Sequence, residues 1–190
     1  LSPASLTVAG VEDGSFKAFQ RETDNTIQLT PLCLTRFQGQ RLTDVRLAHV
    51  TVDGDDATDI LLTLLNNLEI DALILGGVTF GGFNVVYTEK IYKETGIPII
   101  VFSAVKPDVQ ATFNALCKHF DDWENRWKAY NQLGDIHSFN IKNYPAVYYE
   151  NVGCSEEYAE EILNIQAITG RTPEAVRVAG LIAKGVSSSF

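Results

Sequence analysis

Apolar and polar residues alternate over the first fifty positions, and then the period lengthens to that of a helix. Ser5–Val11 carries Leu6, Val8 and Val11 and ends in Glu-Asp-Gly, a strand-then-turn pattern. Thr26–Phe37, with Ile27, Leu29, Leu32, Leu34 and Phe37, predicts a second strand. Pro31 lacks a ladder donor, so an edge position or a bulge is expected there. Gly39-Gln40 forms a turn, and Asp44–Val52 follows as a third strand. Three strands on short turns predict an antiparallel meander. Beyond it, Ile60, Leu61, Leu64, Leu65 and Leu68 recur at helical spacing, with Asp55 or Asp56 placed to cap that helix. Ala72–Leu75 is wholly apolar, the mark of a strand buried on both faces. A glycine-rich loop spans Gly76–Gly82, a helix is predicted over Phe83–Glu94 with Gly96 as its stop, and Ile97–Phe102 is another buried strand. Strand, helix and strand of these lengths imply a right-handed parallel crossover.

The second half reads as mostly helical. Helices are predicted from Pro107 to His119, over Asp121–Leu133 with Gly134 closing it, over Ser155–Ile168, and from Thr172-Pro173-Glu174 onward. Ile136–Ile141 and Ala146–Tyr149 suggest a short hairpin. The fold class is therefore α/β: a mixed five-stranded sheet, three antiparallel strands leading and two parallel strands following, with helices on both faces and a helical C-terminal half. No repeat or linker divides residues 1–190, which are read as one domain. The third strand is expected to run opposite to the first. On that expectation Asp53 reaches Glu12–Asp13 only through a short or bent strand, or Asp56 or Asp59 is carried back across the sheet.

Composition narrows the class. Hydrophobic residues make up 45% and charged residues 21%, ordinary globular usage. No apolar run approaches the ~20 residues of a membrane span, and no signal-peptide pattern is visible. Cys33, Cys117 and Cys154 form no Cys-x-x-Cys pair, which fits three reduced thiols and a cytoplasmic protein. A net charge of −9 argues against a strong non-specific hold on phosphates, yet it is compatible with an acidic metal site.

Two acidic clusters could carry chemistry: Glu12-Asp13-Gly14, and Asp53 with Asp55, Asp56 and Asp59. Together they could supply the hard oxygen ligands that Mg²⁺ or Mn²⁺ prefers. Asp and Gly are also common turn and cap residues, so the clusters have a purely structural explanation as well. An EF-hand is excluded, because its sixth and twelfth loop positions fall on Thr58 and Leu64. The segment Gly77, Val78, Thr79, Phe80, Gly81, Gly82, Phe83, Asn84 joins a buried strand to a helix, where backbone amides can face a phosphate. It has neither a P-loop nor a dinucleotide pattern. Asn84 could read a pyrimidine edge, and Phe80 or Phe83 could stack on a base or equally fill a core. Lys106, Arg177 and Lys184 are candidate phosphate contacts, while His49, His119 and His137 show no ligand spacing.

These segments resemble the archaeal endonuclease dU family, formerly a domain of unknown function and related to endonuclease V. The resemblance is carried by Val11–Phe16, Thr51–Thr58, Gly77–Val86, Thr95–Val101 and Pro173–Ala183, in the family's order. It implies a ribonuclease H-like fold and a DNA-repair hydrolase that cuts a phosphodiester near deoxyuridine. It also implies carboxylates that hold Mg²⁺ or Mn²⁺ and a DNA partner, single-stranded or otherwise; on this chain the candidate ligands are Glu12, Asp13, Asp53 and Asp56, and the candidate substrate contacts are Gly77, Thr79, Phe80, Gly81, Phe83, Asn84, Lys106 and Arg177. The alternative is a catalytically impaired nucleic-acid- or nucleotide-binding protein of the same fold. Three departures favour the alternative. Glu12-Asp13-Gly14 stands where the family usually has Asp-Asp-Gly. Gly76-Gly77-Val78 stands where endonuclease V carries a carboxylate, and Gly180 stands where the family tends to have His.

Overall fold

The computed structural model describes residues 5–17 and 27–187. The chain forms β1 (Thr7–Asp13), β2 (Leu29–Gln38), β3 (Arg41–Thr51), α1 (Ala57–Leu65), β4 (Ala72–Leu75), β5 (Thr79–Phe80), β6 (Asn84–Val85) and α2 (Thr88–Thr95). It continues through β7 (Ile99–Ser103), α3 (Val109–His119), α4 (Trp123–Gln132), β8 (His137–Phe139), β9 (Val147–Val152), α5 (Glu156–Gln166) and α6 (Glu174–Ser187). The main sheet runs β3-β2-β1-β4-β7-β9-β8, and β5-β6 form a separate ribbon. The leading meander is antiparallel, and β1, β4 and β7 are parallel neighbours.

Among the described residues the main sheet thus has seven strands rather than the expected five. The added pair is the β8–β9 hairpin, which docks antiparallel on β7 instead of standing apart. Its core-facing Val147, Tyr149 and Val152 need cover on the sheet, and the open side of β7 provides it.

The direction expected for β3 is also corrected. It runs against β2, which runs against β1, so β1 and β3 point the same way and both end at the same edge of the sheet. Pro31 lies in an interior strand, and the bulge falls at Arg36/Phe37. Pro31 is tolerated because β1 ends opposite Leu32; the Pro31 carbonyl accepts from Gly14 N–H, and its missing donor falls where the ladder has already stopped. The helix expected from Phe83 begins at Thr88, since Asn84–Val85 is drawn into the ribbon with Thr79–Phe80. Of the Thr26–Phe37 expectation, Thr26 lies outside the described residues.

Alternation within the buried strands sends side chains to two cores. Val11, Leu34, Leu75 and Val101 face α1, α2 and α4, where Leu61, Ile91 and Ala129 meet them. Val8, Ile74, Ile100 and Tyr149 face α5, meeting Ile162 and Leu163. The last helix, α6, lies directly on β1. A Cβ at Gly10 would strike the Ala175 backbone, and Thr35 Oγ1 donates to the Ala175 carbonyl at 2.7 Å. This packing brings Gly180 and Lys184 to the end of β1. No helix among the described residues is long and apolar enough to cross a membrane.

Candidate active site

The end of β1 delivers Glu12 and Asp13 to opposite faces of the sheet edge. Asp13 turns toward the Gly81-Gly82-Phe83 turn, and its Oδ2 accepts from Gly81 N–H at 2.6 Å. Gly81 and Gly82 both adopt positive φ, +58° and +85°, so this turn presents amides to carboxylates in a conformation that favours glycine. The second carboxylate on the turn is Asp53, whose Oδ1 accepts from Phe83 N–H at 2.9 Å. Asp13 and Asp53, far apart in sequence, therefore hold amides of one turn. That convergence follows from β1 and β3 ending together.

Asp53 is itself in the left-handed region, with φ +56°, and is buried. Its N–H donates to the Gly81 carbonyl at 2.8 Å. Arg126, buried on α4, donates to the carbonyls of Asp53, Gly54 and Phe83 and to the Asp122 carboxylate. Its guanidinium stands 4.4 Å from the Phe120 ring. Nothing in the sequence singled out Arg126 beyond its Asp122 partner one turn earlier.

Glu12 faces α6. A Cβ at Gly76 would collide with the Glu12 carboxylate, and one at Gly180 would come within 2.9 Å of Glu12 Cγ. Two of the departures read in the sequence, Glu12 and Gly180, thus meet, with Gly76 beside them, whereas a Cβ at Gly77 would meet nothing nearer than the Thr79 carbonyl at 3.7 Å. The longer Glu12 side chain occupies the space that side chains at positions 76 and 180 would need.

The Glu12 and Asp13 carboxyls share a hydrogen bond. Burial, together with the Asp13 charge, pushes Glu12 up to about 8. Burial also raises Asp13, against the lowering effect of the Gly81 amide, the Glu12 hydrogen bond and the nearby Lys184 ammonium. Two carboxyls sharing a proton form a hard-oxygen donor pair that a divalent cation can take over by replacing that proton. Glu12 and Asp13 fit such an ion. Among the described residues no group of three or more His, Cys, Asp or Glu is arranged to hold a metal. An ion here would rely on two protein carboxylates and fill its remaining positions from water and substrate oxygens, as Mg²⁺ commonly does.

The other expected site residues are placed as follows. Asp56 is turned into the protein: it accepts from Thr51 N–H, Thr51 Oγ1 and Asn84 Nδ2. Burial raises its carboxyl, but these bonds outweigh burial and hold it below the ordinary value. Asn84 is fully buried, and its Oδ1 accepts from Ala57 N–H at 2.9 Å. It is therefore Asn84, not Asp55 or Asp56, whose side chain caps α1, and its amide has no edge left to read a base. Phe80 is a core residue at 1% exposure, and Phe83 packs on Phe120. Asp59 pairs with Lys90 at the surface, and Arg177 is paired with Glu174 at 2.6 Å. Lys106 is exposed beside Pro107.

Gly77 and Thr79 line a cleft of about 360 Å³ that begins at Gly76, next to the acid pair, and runs between β7, β9, α3 and α4. The cleft was not legible in the sequence, because its far wall, Trp127 and Tyr130, comes from α4.

The endonuclease dU family profile matches residues 4–187. A UPF0215 protein from Methanosarcina mazei is 37% identical over 159 residues, covering 80% of this chain and 81% of its own. A UPF0215 protein from Pyrococcus horikoshii is 33% identical over 186 residues, covering 95% and 92%. Among solved structures, a protein of unknown function from Archaeoglobus fulgidus superposes with a TM-score of 0.82 at 27% identity, covering 96% of this chain and 98% of its own. Endonuclease V from Ciona intestinalis, solved with a 24mer DNA containing an inosine followed by a ribo-adenosine, gives a TM-score of 0.63 at 13% identity, covering 97% and 87%. Endonuclease V from Bacillus subtilis gives 0.60 at 12% identity, covering 100% and 86%. The shared fold is ribonuclease H-like.

Proposed function

Because the chain belongs to the endonuclease dU family, we propose that it is a divalent-metal-dependent endonuclease that hydrolyses a phosphodiester in deoxyuridine-containing DNA. The observation that carries this reading is the Glu12–Asp13 pair, two half-buried carboxyls sharing one hydrogen bond beside Gly76 at the mouth of a cleft.

Glu12 and Asp13 would hold Mg²⁺ or Mn²⁺, which when bound activates water and stabilises the departing oxygen. The protein's own groups prepare that centre. The Gly81 amide fixes one Asp13 oxygen, and an ion that displaced the proton shared with Glu12 would take over the carboxyl pair. The small surfaces of Gly76 and Gly180 fix where the Glu12 carboxyl ends. Lys184 favours the charged form of both carboxyls and brings a cation to where a phosphate would approach. Asp53 and Arg126 act one step away, by holding the Gly81–Phe83 turn. Asp56 serves the same loop through Thr51 and Asn84.

A strand-nicking assay on DNA with and without deoxyuridine, run with Mg²⁺, with Mn²⁺ and with chelator, tests the reading. Cleavage beside deoxyuridine that requires the ion and disappears in Asp13→Asn is the expected result. A second reading, nucleic-acid binding without cleavage, draws on the absence of a third metal-holding carboxylate among the described residues. It is the correct one if the deoxyuridine strand is bound but stays intact with either ion.

A further inference from the structure

Glu150 lies on β9 and lines the cleft, yet it is only 8% exposed. Its carboxyl has no hydrogen-bond partner among the described residues except its own backbone N–H. Among the described residues no arginine or lysine lines the cleft, where Tyr130 is the other ionisable group. Burial raises the Tyr130 phenol to about 12, against the effect of its hydrogen bond with Thr79, so it stays neutral. A buried acid without a partner costs stability unless a ligand uses it.

The surroundings indicate the ligand's shape. Trp127 and Tyr130 stack on each other at 5.4 Å between centroids and form one wall, while Gly76, Gly77 and Val78 form a wall with little side-chain bulk. A volume of about 360 Å³ is at the lower end of small-molecule sites and holds a single ring system. The mouth at Gly76 touches the Glu12 carboxyl, so a ring in this cleft would have its backbone phosphate near the acid pair.

We propose that Glu150 is the specificity-determining group of this cleft, reading the edge of an extruded nucleobase that offers a ring N–H beside a carbonyl, as uracil does. A neutral carboxyl offers one O–H donor and one carbonyl acceptor side by side, the complement of that edge. Burial holds Glu150 at about 7, so the neutral form is well populated near neutrality. The assignment rests on the nucleic-acid reading above but not on cleavage.

Binding measured in chelator separates the two. A short labelled single strand with one deoxyuridine is titrated by fluorescence anisotropy against the same strand with a reduced abasic site. The wild-type protein is expected to prefer the deoxyuridine strand by roughly tenfold, the worth of a buried paired edge. Glu150→Leu removes the donor and acceptor and brings both strands to the abasic affinity. Glu150→Gln keeps one donor and one acceptor and retains most of the preference. No preference in the wild type, an unchanged preference in Glu150→Leu, or an equal loss on both strands overturns the assignment. Loss of nicking with Glu150-dependent binding intact would overturn the nuclease reading and leave this one standing.

Discussion

At the scale of single residues, the site depends on groups held away from their ordinary states. Glu12 is protonated in the native chain up to about pH 8, whereas an unfolded chain releases that proton near the ordinary glutamate value of 4.5. Between these limits the native state binds the extra proton, so stability falls as pH rises through the window, and the cost is complete above about 8. Glu150, raised to about 7, contributes in the same direction. Thermal melts in metal-free buffer from about pH 5 to about pH 8 should therefore slope downward, with Glu12→Gln giving a shallower slope than wild type; an identical slope would remove Glu12 from this role. Asp53 illustrates a different constraint. Its positive φ costs about 1–3 kcal/mol in most residues but less in Asp or Asn. Asp53→Asn keeps both the backbone tolerance and an acceptor for Phe83 N–H, and should melt close to wild type. Asp53→Ala loses both and should lose about 2 kcal/mol by denaturant titration.

At the scale of elements, the turn Gly81–Phe83 is the joint on which the site is assembled. It is tied to β1 through Asp13, to the end of β3 through Asp53, and to α4 through Arg126. Arg126 is 5% exposed and serves three carbonyls of two loops, so truncating it leaves those carbonyls buried without a donor. Arg126→Ala should cost about 3 kcal/mol, with the amides of Gly81–Phe83 losing protection in hydrogen exchange more than those of β4. Uniform loss across both segments would show that Arg126 supports the fold in general and not this joint.

At the scale of the whole molecule, the sheet and α6 bring the acid pair, the turn and the cleft to one edge. Binding of an ion at Glu12 and Asp13 should stabilise the native chain by mass action. Adding Mn²⁺ should raise the melting temperature of the wild type and leave that of Asp13→Asn unchanged; an equal rise in both would place the ion elsewhere. The sequence by itself determined the meander, the buried parallel strands, the helix stops and the two acidic clusters, because periodicity, turn residues and caps act within a few positions of each other. It also carried the family likeness and the three departures at Glu12, Gly77 and Gly180. Only the tertiary structure brought Glu12 against Gly180 and Gly76, where its side chain fills the space these two glycines leave. It turned Asp56 and Asn84 inward, and it recruited Arg126 and Glu150 from elements that no local pattern ties to β1. The reason is physical: a side chain's chemistry is set by which partners close around it, and those partners come from strands and helices far away in sequence.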